Sequence, residues 1–240
     1  MEYKYAKNDN FEDFASGRVI YHMGGEPTFP VRLTLEIYGR CLQYSNKKTG
    51  ITLYDCCCGG GYMLTILGLL KSNSISSLYG SDMNLESLKL AEDNLGLLTR
   101  SGISRRRDQL LSLYQKYNKV SHWEALHSTD RIEQRLTKNI ETSVFKQNIF
   151  EVCDLPFIPD IIITDVPYGN MVEWDEGSGD INQMMNALSS VCGNETIICV
   201  CMDKKQKIQT DIYQRLERQL VGKRKFEIYK KKLFKTLSCI

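Results

Sequence analysis

An α/β fold built on a doubly wound, mostly parallel sheet is the class that this 240-residue chain predicts. Three observations predict it. Short β-rich apolar runs alternate with helical stretches through the first hundred residues. One run, "YDCCCGGGYML", passes from strand to helix through a glycine turn. Two of the runs end in a carboxylate, Asp82 and Asp165, where such a sheet would deliver it to a ligand.

The elements follow in chain order. "FPVRLTLEIYGRCLQYS" (29–45) repeats apolar residues at mostly helical spacing, which predicts a helix within an N-terminal helical extension, 1–50. "ITLYDCCC" (51–58) reads as a strand, and "YMLTILGLLKS" after the glycines as a helix. "SSLYGSDMN" (76–84) is the next strand, followed by a helix with Leu85, Leu88, Ala91 and Leu95 on one face. Such alternation requires right-handed crossovers. The alternation then stops: 100–140 is charged and helical, an insertion of two helices, with Ser121 and Glu124 at capping-box spacing before the second. Strands resume at 143–152, 160–169 and 195–203. "IQTDIYQRLERQL" (208–220) reads as a last helix, and "KFEIYKKKLFKTLSCI" as one or two edge strands. Without repeats or linkers, residues 1–240 form a single domain.

Composition is that of an ordinary soluble protein, 42% hydrophobic and 25% charged. No apolar run reaches the roughly 18 residues of a membrane span, and the polar N-terminus is unlike a signal peptide. Nine cysteines, three of them consecutive, suit small buried residues in a reducing cytoplasm better than a disulfide framework. No C-x-x-C pair and only three histidines argue against zinc. The net charge of +2 is uninformative, but "RSGISRRR" (100–107), "GKRK" (222–225) and "YKKK" (229–232) concentrate positive charge as a polyanion's partner would.

At the switch point of a doubly wound sheet, glycines after the first strand admit a ligand to the backbone. Asp82 follows Asp55 by 82 − 55 = 27 positions, where a second-strand carboxylate can accept both hydroxyls of a ribose. A dinucleotide fingerprint is incomplete, because Tyr62, Met63 and Leu64 follow Gly59-Gly60-Gly61 and the third glycine is missing. That removes the basis for an NAD-dependent oxidoreductase. The turn instead resembles the D-x-x-C-G-x-G of Rossmann-like class I methyltransferases, with Asp55, Cys58, Gly59 and Gly61 in its positions. The resemblance implies S-adenosylmethionine as cofactor. It implies that Asp55, Cys57, Cys58, Gly59 and Gly61 hold its methionine part and Asp82 with Met83 its ribose. Asn148 and Ile149 would face adenine, with Asp165 closing the cofactor site.

"IIITDVPYG" (161–169) resembles the D/N-P-P-Y motif of methyltransferases that act on nitrogen in a planar base. Such a nitrogen has a delocalised lone pair. A strand-end carboxylate and a backbone carbonyl can accept its hydrogens as charge builds, and a tyrosine ring can hold the base in line with the methyl. Asp165, the Val166 or Pro167 carbonyl, and Tyr168 are the candidates, with Val166 in place of the usual first proline. "TFPVRL" (28–33), "YDCCCGGGYMLT" (54–65) and "TDVPYGNMVEW" (164–174) together resemble the AviRa family of avilamycin-resistance ribosomal RNA methyltransferases. What this implies is methylation of a guanine in 23S ribosomal RNA and resistance to orthosomycins. For guanine N1, Asp165 would act as acceptor and general base; for an exocyclic amine, mainly as acceptor.

An RNA substrate must offer a loop nucleotide or a flipped base, and needs phosphate contacts beside the pocket. Arg105, Arg106 and Arg107 are the first candidates and Lys223, Arg224 and Lys225 the second. Three consecutive helical residues diverge by about 100°, so not all three arginines can meet one strand, and one or two can pair with acids instead. Trp174 would stack on RNA or close the pocket, Trp123 reads as core, and Arg32 would orient the cofactor carboxylate or lie on a helix surface. The reading is a cytoplasmic, monomeric methyltransferase of a guanine ring nitrogen. Its alternatives are an adenine-N6 or guanine-N2 enzyme on RNA or DNA, and a non-catalytic module that binds cofactor or RNA.

Overall fold

The computed structural model describes residues 1–24, 28–151, 154–166 and 180–232. A seven-stranded sheet in the order β3-β2-β1-β4-β5-β7-β6 organises them. Strands β1 (Ile51–Asp55), β2 (Ile75–Asp82), β3 (Glu141–Lys146), β4 (Ile161–Asp165) and β5 (Ile197–Asp203) run parallel, and β7 (Arg224–Lys231) is antiparallel to both β5 and β6 (Tyr213–Val221). This is the doubly wound, mostly parallel sheet expected. The central strands read as unbroken apolar runs because both faces are covered: Ile161, Ile162, Ile197, Ile198 and Val200 are all fully buried.

Helices α1 (Val31–Tyr44), α2 (Tyr62–Lys71) and α3 (Leu85–Gly96) fall where the apolar spacing placed them. Asn84 caps α3, its side chain accepting from the N–H groups of Glu86 and Ser87. The insertion is a hairpin of α4 (Arg100–Tyr117) and α5 (Val120–Glu133). Its start at α5 departs from expectation: the N-cap is Lys119 with no side-chain cap, and Ser121 lies inside the helix. A short α6 (Ile181–Ala187), capped by Asp180, follows the motif strand and has no counterpart in the sequence reading.

Two corrections concern the C-terminal end. Residues 213–220, expected as helix, are strand β6. Ile208, Ile212, Leu216 and Leu220 recur every four residues and mimic a helical stripe, but pairing with β7 along the whole strand prevails. Gly222, at φ +61°, turns the β6–β7 hairpin in the left-handed region. Strand β7 is then interior and not an edge: Phe226, Ile228 and Tyr229 are buried, and β6 is the edge. Residues 233–240 lie outside the described residues.

Only part of the 1–50 extension is helical. Before α1, a single 3-10 turn (Glu12–Phe14) interrupts an irregular segment held by long-range bonds. The buried Glu36 carboxylate accepts from the backbone N–H groups of Lys4, Tyr5 and Ala6 and pairs with Arg40 at 2.7 Å. Those bonds to its charged form outweigh its burial and hold its pKa below the ordinary carboxylate value. Arg32 donates to the Ala6 carbonyl and stacks 4.0 Å over Tyr3, so its role is to fix this segment.

Candidate active site

Strand register sets the geometry of the site. Tyr54 of β1 pairs with Ile162 of β4, so Asp165 stands two residues beyond the level of Asp55, roughly 7 Å further along the strands. Chain connectivity diverges between these strands, and a cleft opens there, enclosing about 670 Å³ of non-atom space that is part open to solvent. Asp55, Cys57, Cys58, Gly59 and Gly60 line one wall and Asp165 another.

The glycine turn is shaped for a ligand. Cys58 N–H donates to the Ser81 carbonyl at 2.9 Å, and Gly61 N–H donates to the Cys58 carbonyl at 2.8 Å. Gly59 and Gly61 both hold left-handed backbone, φ +49° and +69°. They serve different ends. A Cβ on Gly61 would stand 2.9 Å from the Ala91 Cβ, so this glycine lets α3 pack onto the turn; a Cβ on Gly59 would meet nothing within 4 Å. The open space above Gly59, beside carboxylates, fits a cationic ligand that needs backbone contact. Burial pushes up the Cys58 thiol, and the Cys56 thiol together with burial pushes up that of Cys57, so neither offers a thiolate nucleophile at neutral pH.

Asp55 is the most perturbed acid of the cleft. It is 2% exposed. Burial pushes its pKa up to about 7; the Cys57 N–H and the Thr164 hydroxyl oppose the shift, while the charges of Asp82 and Asp165 add to it. Asp165, at the end of β4, is half-buried, and its Oδ2 lies 3.4 Å from a guanidinium nitrogen of Arg224. Arg224 starts β7 and stacks 5.4 Å over Phe29, which also lines the cleft. It therefore faces the motif acid. Val166 is buried, and its N–H continues the β4–β5 ladder to the Cys201 carbonyl at 3.0 Å.

Asp82 ends β2 and ties the second strand to the turn. One oxygen accepts from Gly59 N–H at 2.9 Å and the other from Asn84 N–H at 3.0 Å. Met83 beside it is exposed. Asn148 lies past the end of β3, where it accepts from Phe150 N–H and donates to Glu151; Ile149 is buried in the hydrophobic cluster that also holds Tyr54 and Val166. These residues border the strand ends without lining the cleft itself.

Sequence reasoning missed the other wall. Ser16, Tyr21, His22, Thr28 and Phe29, from the segment before α1, line the cleft. The latch is Asn94 on α3, 1% exposed. Its amide nitrogen donates to the carbonyls of Tyr21 and Gly60 at 3.1 and 2.8 Å, and its oxygen accepts from Tyr21 N–H at 2.8 Å. An asparagine on an otherwise apolar helix face was the available signal.

The arginine cluster divides. Arg105 is exposed. Arg106 is not free for RNA: it donates to the Val19 and Arg18 carbonyls and lies 4.2 Å over Tyr21. Arg107 is bound to Asp130 and Glu133 of α5, the pairing that helical divergence anticipates. Lys223 is exposed at the hairpin turn, whereas Lys225 is buried against Glu227 at 2.7 Å. Trp123 is 48% exposed, not core. Pro167, Tyr168 and Trp174 lie outside the described residues. Among the described residues the cysteines are free, no cluster of acids, histidines and cysteines could hold a metal ion, and no helix is long and apolar enough to cross a membrane.

Comparison with known proteins gives a consistent result. A family model described as rRNA methyltransferase AviRa matches residues 1–224. The chain is 32% identical over 222 residues to the 23S rRNA (guanine(2535)-N(1))-methyltransferase of Streptomyces viridochromogenes, covering 88% of each protein. The solved structure of the rRNA methyltransferase AviRa from that organism superposes with a TM-score of 0.87 at 28% identity, over 96% of both chains. A ribosomal protein L11 methylase from Lactobacillus delbrueckii subsp. bulgaricus shares the fold alone, with a TM-score of 0.51 at 13% identity over 87% of this chain and 91% of that one.

Proposed function

The chain belongs to the AviRa family of ribosomal RNA methyltransferases, and from that premise we propose that it methylates N1 of a guanine in 23S ribosomal RNA using S-adenosylmethionine. The observation that carries this reading is the meeting of Asp55 and Asp165 across the switch-point cleft, beside a glycine turn with open space above it. S-adenosylmethionine supplies a methyl group activated by positive sulfur. Asp55, with Cys57, Cys58, Gly59 and Gly61, would hold its methionine part, and Asp82 with Met83 its ribose. Asn148 and Ile149 would border its adenine.

The remaining chemistry belongs to the chain. Guanine N1 carries a proton that must leave as the N–CH3 bond forms. Asp165 accepts that N1–H and draws off its proton, and the Val166 carbonyl takes the neighbouring exocyclic hydrogen. Arg224 holds the Asp165 carboxylate in place. Tyr168 stacks on the base, and the N-terminal segment excludes water from the methyl. Arg105 and Lys223 contact phosphates. The protein works in the cytoplasm as a monomer, and the modification blocks orthosomycin binding.

Incubation of 23S rRNA with labelled donor should give 1-methylguanosine by nucleoside mass spectrometry and one strong reverse-transcription stop, because N1 lies on the pairing edge. Asp165→Ala should abolish transfer and leave cofactor affinity within about threefold. Guanine-N2 or adenine-N6 product would refute the N1 assignment. Cofactor binding without any transfer would favour the binding module.

A further inference from the structure

The tip of the α4–α5 hairpin carries an unexplained surface. Asn118 turns the chain there in left-handed backbone, φ 47°. Around it Tyr117 is 50% exposed, Val120 70% and Trp123 48%. Between residues 111 and 123 there is no acidic residue, while Lys116 and Lys119 supply cationic groups. The Lys116 and Lys119 ammonium groups lie 5.0 and 5.8 Å from the Tyr117 ring centroid. Glu124, the next acid, is turned away toward Arg18 at 3.5 Å. Elsewhere on the hairpin Arg107 is paired with Asp130 and Glu133, and Arg131 with Asp13. Large rings left in water on a projecting turn, flanked by cations and free of acids, match what unpaired RNA needs. Bases stack on rings, and lysines meet the phosphates between them.

We propose that this tip is a second RNA contact, with Tyr117 and Trp123 as stacking platforms for unpaired nucleotides of the rRNA substrate and Lys116 and Lys119 as phosphate contacts. It rests on the rRNA reading above. Placement supports it. Arg106 touches Tyr21, which lines the cleft, and Tyr117 lies eleven residues further along α4, about 16 Å by helical rise. The tip thus holds RNA outside the pocket while the target base is inside it. Charge selects RNA over a protein partner here, because a basic turn without acids suits a polyanion.

The test uses the full chain with naked 23S rRNA and with assembled large subunits. Tyr117→Ala is the primary variant, since the ring contacts of Tyr117 are with Lys116, Lys119 and His122 and not with the core. Trp123→Ala is secondary, because Trp123 also packs 5.4 Å from Tyr114, and its fold is checked by circular dichroism. On naked rRNA, Tyr117→Ala should raise KM by about tenfold with kcat and cofactor affinity unchanged. Lys116→Gln with Lys119→Gln should flatten the slope of log affinity against log salt by about 1.4. Unpaired rRNA oligonucleotides should quench a tryptophan signal that Trp123→Phe removes. An unchanged KM and slope with wild-type methylation intact would overturn the tip and leave the rRNA reading standing. Loss confined to assembled subunits would overturn it in favour of a ribosomal protein. No methylation of rRNA by the wild type would remove the rRNA reading, and the tip with it.

Discussion

Asp55 makes the sharpest prediction. Burial and two neighbouring acids push its pKa from 3.8 to about 7. A shift of roughly 3 units corresponds to about 4 kcal/mol between its two protonation states, an upper figure if water reaches the site. The unliganded folded protein therefore keeps a proton that the unfolded chain surrenders above pH 3.8. That contribution is full below pH 3.8 and is lost as pH rises through about 7. Asp55→Asn keeps an oxygen for the Cys57 N–H and never ionises. We expect it to melt about 4 °C above wild type at pH 5, where part of the contribution is already lost, and as much as about 10 °C above it at pH 9. A cationic ligand reverses the preference by favouring the carboxylate. Titration calorimetry with S-adenosylmethionine should then show wild-type affinity rising about tenfold per pH unit up to about 7 and flat above it. The Asn variant should bind weakly at every pH. A wild-type Kd that does not move between about pH 5.5 and 8.5 would refute the placement of the cation beside Asp55.

The two glycines should separate under mutation. Gly61→Ala meets Ala91 at 2.9 Å in left-handed backbone and should lower stability by about 2–4 kcal/mol in denaturant titrations. Gly59→Ala should cost only about 1 kcal/mol of stability yet weaken cofactor binding more than tenfold; the reverse ranking would contradict the open space above Gly59. Asn94→Ala strands Tyr21 and Gly60 polar groups and should destabilise by about 2–4 kcal/mol, with cofactor affinity falling in parallel; a neutral result would dismiss the latch. Arg224→Gln should lower kcat by about tenfold at unchanged cofactor Kd, with partial recovery in Arg224→Lys. An RNA-affinity loss without a kcat effect would return Arg224 to phosphate binding.

Local signals made the sheet and its acids legible. Apolar runs bounded by glycine or acid gave β1, β2, β4 and β5, and strand-end position brought Asp55 and Asp165 together across the cleft. What escaped was decided at long range. A four-residue stripe disguised β6, because its partner β7 arrives only after the turn at Gly222. The N-terminal wall has no periodicity of its own, and Tyr21 acquires its place from Asn94, 73 positions away. The arginines 105–107 looked alike in sequence, yet helical rotation sends one to solvent and two to different intramolecular acceptors.

The irregular segment before α1 is fastened at both ends of its span. Asp13 and Arg18 are moored to α5 through Arg131 and Ser128, and Tyr21 is moored to the glycine turn through Asn94. Hence the helical insertion and the mouth of the switch-point cleft share one tether some ten residues long. Shortening or slackening that tether would alter access to the cleft while leaving Asp165 and its strand in place, so loop-length variants between residues 13 and 21 offer a way to tune ligand entry separately from the motif acid.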